Sequence, residues 1–124
     1  MAVIGRKIKL VGPLGESERT ALFDSGASVS CIRPDVAETL EIARPIRPPL
    51  RISTAKEGAE LEVSERVSLD FYINGYRFMT DFYIVAGLTE EVIIGATTMQ
   101  QWRFKIDFEH GEVIIDPRAT RMRI

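Results

Sequence analysis

The sequence predicts an all-β protein, its antiparallel strands in a closed or nearly closed barrel with one or two short helices. Three observations carry that class. Short runs of alternating apolar and polar residues recur along the chain. Turns bearing Gly, Pro or Asn-Gly separate them at hairpin distance. Only two stretches, both short, have helical spacing.

Totals narrow the class further. The chain has 124 residues, which fits one domain spanning 1–124. A chain this long buries roughly two-thirds of its unfolded surface, enough for a core without staples. It is 45% hydrophobic and 27% charged, ordinary for a globular protein. A net charge of -2, with both signs mixed, argues against nucleic acid or an anionic membrane as a partner. The one local excess, Arg118, Arg121 and Arg123, reads as a solvated terminus. Cys31 is the single cysteine, so no intrachain disulfide can form, which fits a reducing compartment. No apolar run approaches a membrane span, and the start lacks a secretory signature. The expectation is therefore a cytoplasmic protein.

Val3 to Val11 alternates Ile4, Ile8 and Leu10 with Arg6, Lys7 and Lys9, a strand with one wet face. Gly12-Pro13-Leu14-Gly15 turns it, and Ser17 to Phe23 returns as a second strand. Val29 to Ile32 is short and β-prone. Arg33 to Leu40 has helical spacing, with Pro34 suited to a first helical position and Asp35 and Glu38 near the positive end. Pro45, Pro48 and Pro49 predict a loop.

Leu50 to Ala55 and the run from Glu60 onward are two strands of a hairpin, with Lys56-Glu57-Gly58-Ala59 at its exposed tip. The second strand puts Leu61, Val63, Val67, Leu69, Phe71 and Ile73 on one side. Glu65 interrupts that row and marks a bulge or bend. Asn74-Gly75 is a strong hairpin turn, since both residues tolerate positive φ. Tyr76, Phe78, Phe82 and Ile84 share a side on the way back. Val92-Ile93-Ile94 is a short buried strand ended by Gly95. Thr97 to Trp102 is a short helix capped by Thr97 or Thr98. Phe104, Ile106 and Phe108 alternate in a further strand, Glu109-His110-Gly111 turns, and Val113 to Ile115 closes the last hairpin. Pro117 ends regular structure.

Chemistry concentrates at Leu22-Phe23-Asp24-Ser25-Gly26-Ala27. An acid at the end of a buried strand is costly, because its charged form loses hydration. Asp24 is therefore the candidate catalytic residue. Val92-Ile93-Ile94-Gly95 echoes the pattern: an apolar strand, a glycine, then a helix.

Together these segments resemble the retropepsin-like aspartic proteases, which include retroviral proteases and their cellular and prokaryotic relatives. The family's first motif is an apolar pair followed by Asp-Thr/Ser-Gly-Ala/Ser, here Leu22 to Ala27. Its second is an apolar run ending in Gly before a C-terminal helix, here Val92 to Gly95. A glycine-bearing hairpin, here Ser53 to Gly58, lies between them at the position of the family's flap. Order and spacing hold over nearly the whole chain.

The resemblance implies the acid protease fold and an aspartic endopeptidase without cofactor or metal. It implies a homodimer in which each protomer supplies one Asp24, with Ser25 and Gly26 completing the catalytic motif. The residues agree on one point: this chain holds no second Asp-Thr/Ser-Gly, so a two-carboxylate mechanism needs a second chain. Ser25 would bond across the dimer and fix the acids. Ala27, Ser28, Thr54, Ala55, Gly58, Leu88 and Ile93 would contact a peptide or protein substrate, with Val29 and Ile52 as further pocket walls. Many retroviral enzymes carry Asp where this chain has Ser28 and Arg where it has Ala96, so both halves of an ion pair are absent together.

Other residues take plainer readings. His110 sits in a turn, with nothing tying it to Ser25, Ser28 or Cys31 as a nucleophile system. Cys31 reads as a small core residue, and Trp102 as core. Asp70, Asp81 and Asp107 lie on polar strand sides. No spacing marks zinc or calcium ligands. The competing function is a catalytically silent domain of the same family that dimerises or binds peptides. A generic β-barrel interaction module would require the motifs to be coincidence.

Overall fold

A computed structural model describes residues 3–53 and 59–124 of the chain. Strands β1 (Val3–Gly12) and β2 (Gly15–Asp24) form a hairpin whose register runs from Val3↔Asp24 to Gly12↔Gly15. Ile8 and Leu10 are buried, while Lys7 and Lys9 stay in water. Close approach of the segment at Leu40 is what demands glycine at position 12. A Cβ there would lie 2.1 Å from the carbonyl oxygen of Leu40.

Next come β3 (Cys31–Ile32) and helix α1 (Pro34–Ala37), with Pro34 in its first turn as the sequence predicts. The helix is shorter than the Arg33–Leu40 expectation; the chain passes into a turn that still buries Leu40. Then follow β4 (Arg44–Ser53), β5 (Glu60–Ile73), β6 (Tyr76–Ile84), β7 (Val92–Ile94), α2 (Ala96–Gln101), β8 (Lys105–Asp107) and β9 (Glu112–Ile114). A 3₁₀ turn, Pro117–Thr120, follows β9, so Pro117 starts a short helical piece and does not end regular structure.

Hydrogen-bonded neighbours run β1-β2-β7-β3-β6-β5-β4, and β1 also pairs with β5 through Lys9↔Tyr72, Leu10↔Phe71 and Val11↔Asp70. That extra pairing joins β1, β2, β7, β3, β6 and β5 into a closed six-stranded ring. Closure removes the free edges that an open sheet would present. Strand β4 lies outside the ring, hydrogen-bonded to β5.

Two pairings depart from the antiparallel expectation: β2 with β7 and β3 with β6 are parallel. Parallel neighbours cannot be joined by a tight turn, so no local turn signal reveals them. The three prolines also lie inside a strand, β4, and not in a loop. An edge strand needs donors on one side only, and its register slips between Pro45↔Glu65 and Leu50↔Val63. That slip places the irregularity expected at Glu65, and it leaves Glu65 exposed.

The ring encloses an aromatic core. The Phe78 ring lies 5.3 Å from Phe71, 5.4 Å from Trp102 and 4.7 Å from Phe104, centroid to centroid. The indole N–H of Trp102 donates to the Met79 carbonyl at 2.9 Å, so the buried ring keeps a polar partner. Phe104 and Phe82 are buried as their alternation predicts, but Tyr76, at the start of β6, and Phe108, in the turn after β8, are exposed.

Phe78→Ala removes the ring that three others touch. It is expected to destabilise the fold by about 3–5 kcal/mol, read as a lowered urea midpoint at unchanged slope.

Candidate active site

Asp24 is the last residue of β2, and the parallel register carries it to a defined place. Ala21 pairs with Val92, Leu22 with Ile93 and Phe23 with Ile94. Asp24 and Gly95 therefore leave their strands side by side, each just after a fully buried aromatic or aliphatic anchor, Phe23 and Ile94. The two sequence motifs that echo one another are neighbours in space.

After Asp24 the chain turns. The Ala27 N–H donates to the Asp24 carbonyl at 3.1 Å, and the Gly26 N–H donates to the Asp24 carboxylate at 2.8 Å. The carboxylate is thus held by backbone while remaining half-buried. Among the described residues Asp24 takes part in no ion pair.

The turn then crosses the start of α2. Ala96 N–H donates to Ala27 O at 2.7 Å, and Thr97 N–H donates to Ser28 O at 3.1 Å. The Thr97 hydroxyl donates to the same Ser28 carbonyl at 2.7 Å. The first N–H groups of a helix have no partner within it; here the loop after Asp24 supplies two. The helix begins at Gly95 with no side-chain cap, so Thr97 and Thr98 do other work than the capping expected of them. Gly95 has an ordinary extended backbone, and close approach is what demands glycine. A Cβ on it would sit 2.4 Å from Val29 O and 2.9 Å from Ala27 O.

Beneath the turn lies a hydroxyl chain that sequence reasoning missed. Gly95 N–H donates to Ser30 Oγ at 3.0 Å. Ser30 Oγ lies 2.7 Å from Thr98 Oγ1, which lies 2.8 Å from Thr80 Oγ1. Ser30 and Thr98 are buried, so each hydroxyl needs these partners. The available signal was a Ser inside the apolar run Val29 to Ile32 and a Thr on the inner side of a short helix.

The structure brings Asp24, Gly26, Ala27 and Ser28 into one hydrogen-bonded unit with α2. Ser25 is exposed and lines a groove of about 790 Å³ with Met99, Phe104, Ile106, Ile114 and Ile115. Ile93 is half-buried beside Leu22. Val29 lines a separate groove of about 530 Å³. Leu88 follows the left-handed Gly87 in the loop between β6 and β7, and no described hydrogen bond links it to the Asp24 turn. Ile52 pairs with Leu61 on the β4–β5 hairpin. The flap residues Thr54, Ala55 and Gly58 lie outside the described residues.

His110 stays in its turn. Its ring Nδ1 lies 2.7 Å from Asp107 Oδ2, and the His110 backbone N–H donates to Asp107 Oδ1 at 3.2 Å. Glu109 stands close enough that the three side chains offer ligand atoms within 4.8 Å of one another, a grouping not evident from spacing. Asp70 and Asp81 have partners where solvent was expected: Asp70 accepts from Arg77, and Asp81 from the Ser68 hydroxyl.

Cys31 is half-buried, and burial pushes its thiol pKa up to about 11. A thiol reagent at neutral pH should therefore modify the folded protein far more slowly than the unfolded one. Equal rates in the two states would contradict this burial.

A family model of the Ty3 transposon peptidase matches residues 9–108. The structure is similar to the crystal structure of the retroviral protease-like domain of Ddi1 from Leishmania major, with a TM-score of 0.68 at 19% identity, covering 94% of this chain and 90% of that one. The shared fold and the match across both motifs lead to one assignment: the chain belongs to the Ty3 transposon peptidase family of retropepsin-like proteins.

Proposed function

We propose that the protein is an aspartic endopeptidase whose active site forms when two copies of the chain bring their Asp24 residues together. One observation carries the reading. Asp24 emerges beside Gly95 at the end of a closed barrel, its carboxylate held by the Gly26 N–H and still half-open to solvent.

One carboxylate cannot both activate water and polarise a carbonyl. Two held close cannot both ionise cheaply, so the pair shares a proton. The ionised acid takes a proton from water, and the protonated one donates to the carbonyl oxygen, as is established for aspartic proteases generally. The new C–O bond forms as the carbonyl π bond opens. Collapse of the tetrahedral intermediate then breaks the C–N bond, with the proton passing to the amine. Ser25 and Gly26 hold the acid in place, and Ala27 and Ser28 border the bound peptide. The β4–β5 hairpin covers that peptide, which binds as an added strand.

The end of the barrel that carries Asp24 suits a second copy. Val3, which pairs with Asp24, is 41% exposed, and Ile114, on the groove lined by Ser25, is 48% exposed. Apolar surface gathered around a half-site is the kind that association covers. Ala96 and Ser28 leave this interface without the ion pair of retroviral relatives. Their backbones remain tied through Ala96 N–H to Ala27 O and Thr97 N–H to Ser28 O.

Incubating the protein with a mixed peptide library between about pH 4 and pH 7, beside Asp24→Asn, tests the reading. The parent should cleave, and the variant should lose at least about a hundredfold in rate. Equal cleavage by both removes Asp24 from the chemistry; no cleavage by either, with a stable dimer, leaves a peptide-binding domain. Sedimentation should show dimer at high concentration, and a fully active strict monomer would sink the shared site.

Gly95→Ala places a Cβ against the Val29 carbonyl. Backbone cannot yield there cheaply, so this change should cost about 1–3 kcal/mol in unfolding experiments and lower kcat.

A further inference from the structure

One cross-strand row links the candidate active site to an unexplained pair of cations. Directly paired residues share a face of a sheet. Leu22 pairs with Ile93, Ile93 with Cys31, Cys31 with Tyr83, Tyr83 with Arg66, and Arg66 with Arg44. Side chains two apart on a strand point the same way, so Leu22 shares its face with Asp24. This face is turned away from the core, which takes Phe23, Ile94, Ile32, Phe82 and Val67 from the alternate positions.

The row changes character with distance from Asp24. Leu22, Ile93, Cys31 and Tyr83 are half-buried and largely apolar, while Arg66 and Arg44 are exposed. Like charges directly opposite one another destabilise a strand pair. Elsewhere on the same hairpin the register opposes Arg51 to Glu62, an opposite-charge pair. Neither Arg44 nor Arg66 has an ion-pair partner among the described residues. In the adjoining row, Asp81 accepts from the Ser68 hydroxyl.

Building on the reading of Asp24 as catalytic, we propose that Arg66 and Arg44 select a substrate peptide with an Asp or Glu outside its apolar cleavage segment. Arg66 stands four strand spacings from Leu22, about 19 Å along the sheet. An extended peptide advances about 3.3 Å per residue. The acidic residue therefore falls about six positions from the scissile bond. Two facing guanidiniums form charge-assisted bonds to one carboxylate, which also relieves their mutual repulsion.

The test uses peptides identical except for Glu, Gln or Lys at that position, with two readouts on the full chain. Cleavage should favour Glu over Lys by about tenfold in kcat/KM, less at high salt because both cations are exposed. Arg66→Glu should reverse the order, and Arg66→Lys should retain it. Binding of the same labelled peptides to the Asp24→Asn protein should show the same order by fluorescence anisotropy. Cleavage indifferent to the charge overturns this inference and leaves Asp24 untouched. Charge-ordered binding without cleavage by the parent supports Arg66 and Arg44 and overturns only the catalytic reading. Neither cleavage nor charge-ordered binding overturns both.

Discussion

The structure depends on the parallel pairing of β2 with β7. Three residue pairs bring Phe23 beside Ile94, both fully buried, and so bring Asp24 beside Gly95. Burial of these anchors makes a register slip expensive, because a shift of one residue would turn each inside out. The position of the carboxylate is therefore set by core packing. What the turn adds is fine placement, through Gly26 N–H on the carboxylate and Ala27 N–H on the backbone carbonyl.

From that pairing the remaining site follows as a set of satisfied backbone groups. The carbonyls of Ala27 and Ser28 meet the open N–H groups of α2, and Val29 O passes over the missing Cβ of Gly95. Ser30, Thr98 and Thr80 then carry hydrogen bonding from Gly95 through the helix to β6. A buried polar chain of this kind is stabilising only when each member has its partner. It ties the loop that bears the acid to the wall of the barrel, which lets a short loop hold a rigid geometry.

The face outside the core has its own order. Apolar residues border the acid, and cations stand at the far end of the same row. The retropepsin-like fold supplies the row, while the side chains along it belong to this chain.

Much of this was legible in the sequence, wherever the determinant is local. Alternation marked Val67, Leu69, Phe71 and Ile73 as inward, and Asn74-Gly75 marked the turn between β5 and β6, with Asn74 at φ 51° and Gly75 at φ 81°. The Asp-Ser-Gly motif marked Asp24, and the apolar run before Gly95 marked its companion. Non-local pairing was not legible. Nothing near β2 announces β7 as a parallel neighbour, because the signal lies in a shared core some seventy residues on. The prolines of β4 read as a loop because their tolerance depends on lying at a sheet edge, which only the assembled ring defines. Ser30 and Thr98 looked ordinary because a hydroxyl's partner is set by what packs against it. By itself, then, the sequence determined the turns, the acid and the strands that alternate, since those follow from side-chain period and backbone freedom. Tertiary structure decided which strands meet, and so that Asp24 stands beside Gly95 and Arg66 beside Arg44, because only packing of distant segments brings those pairs into register.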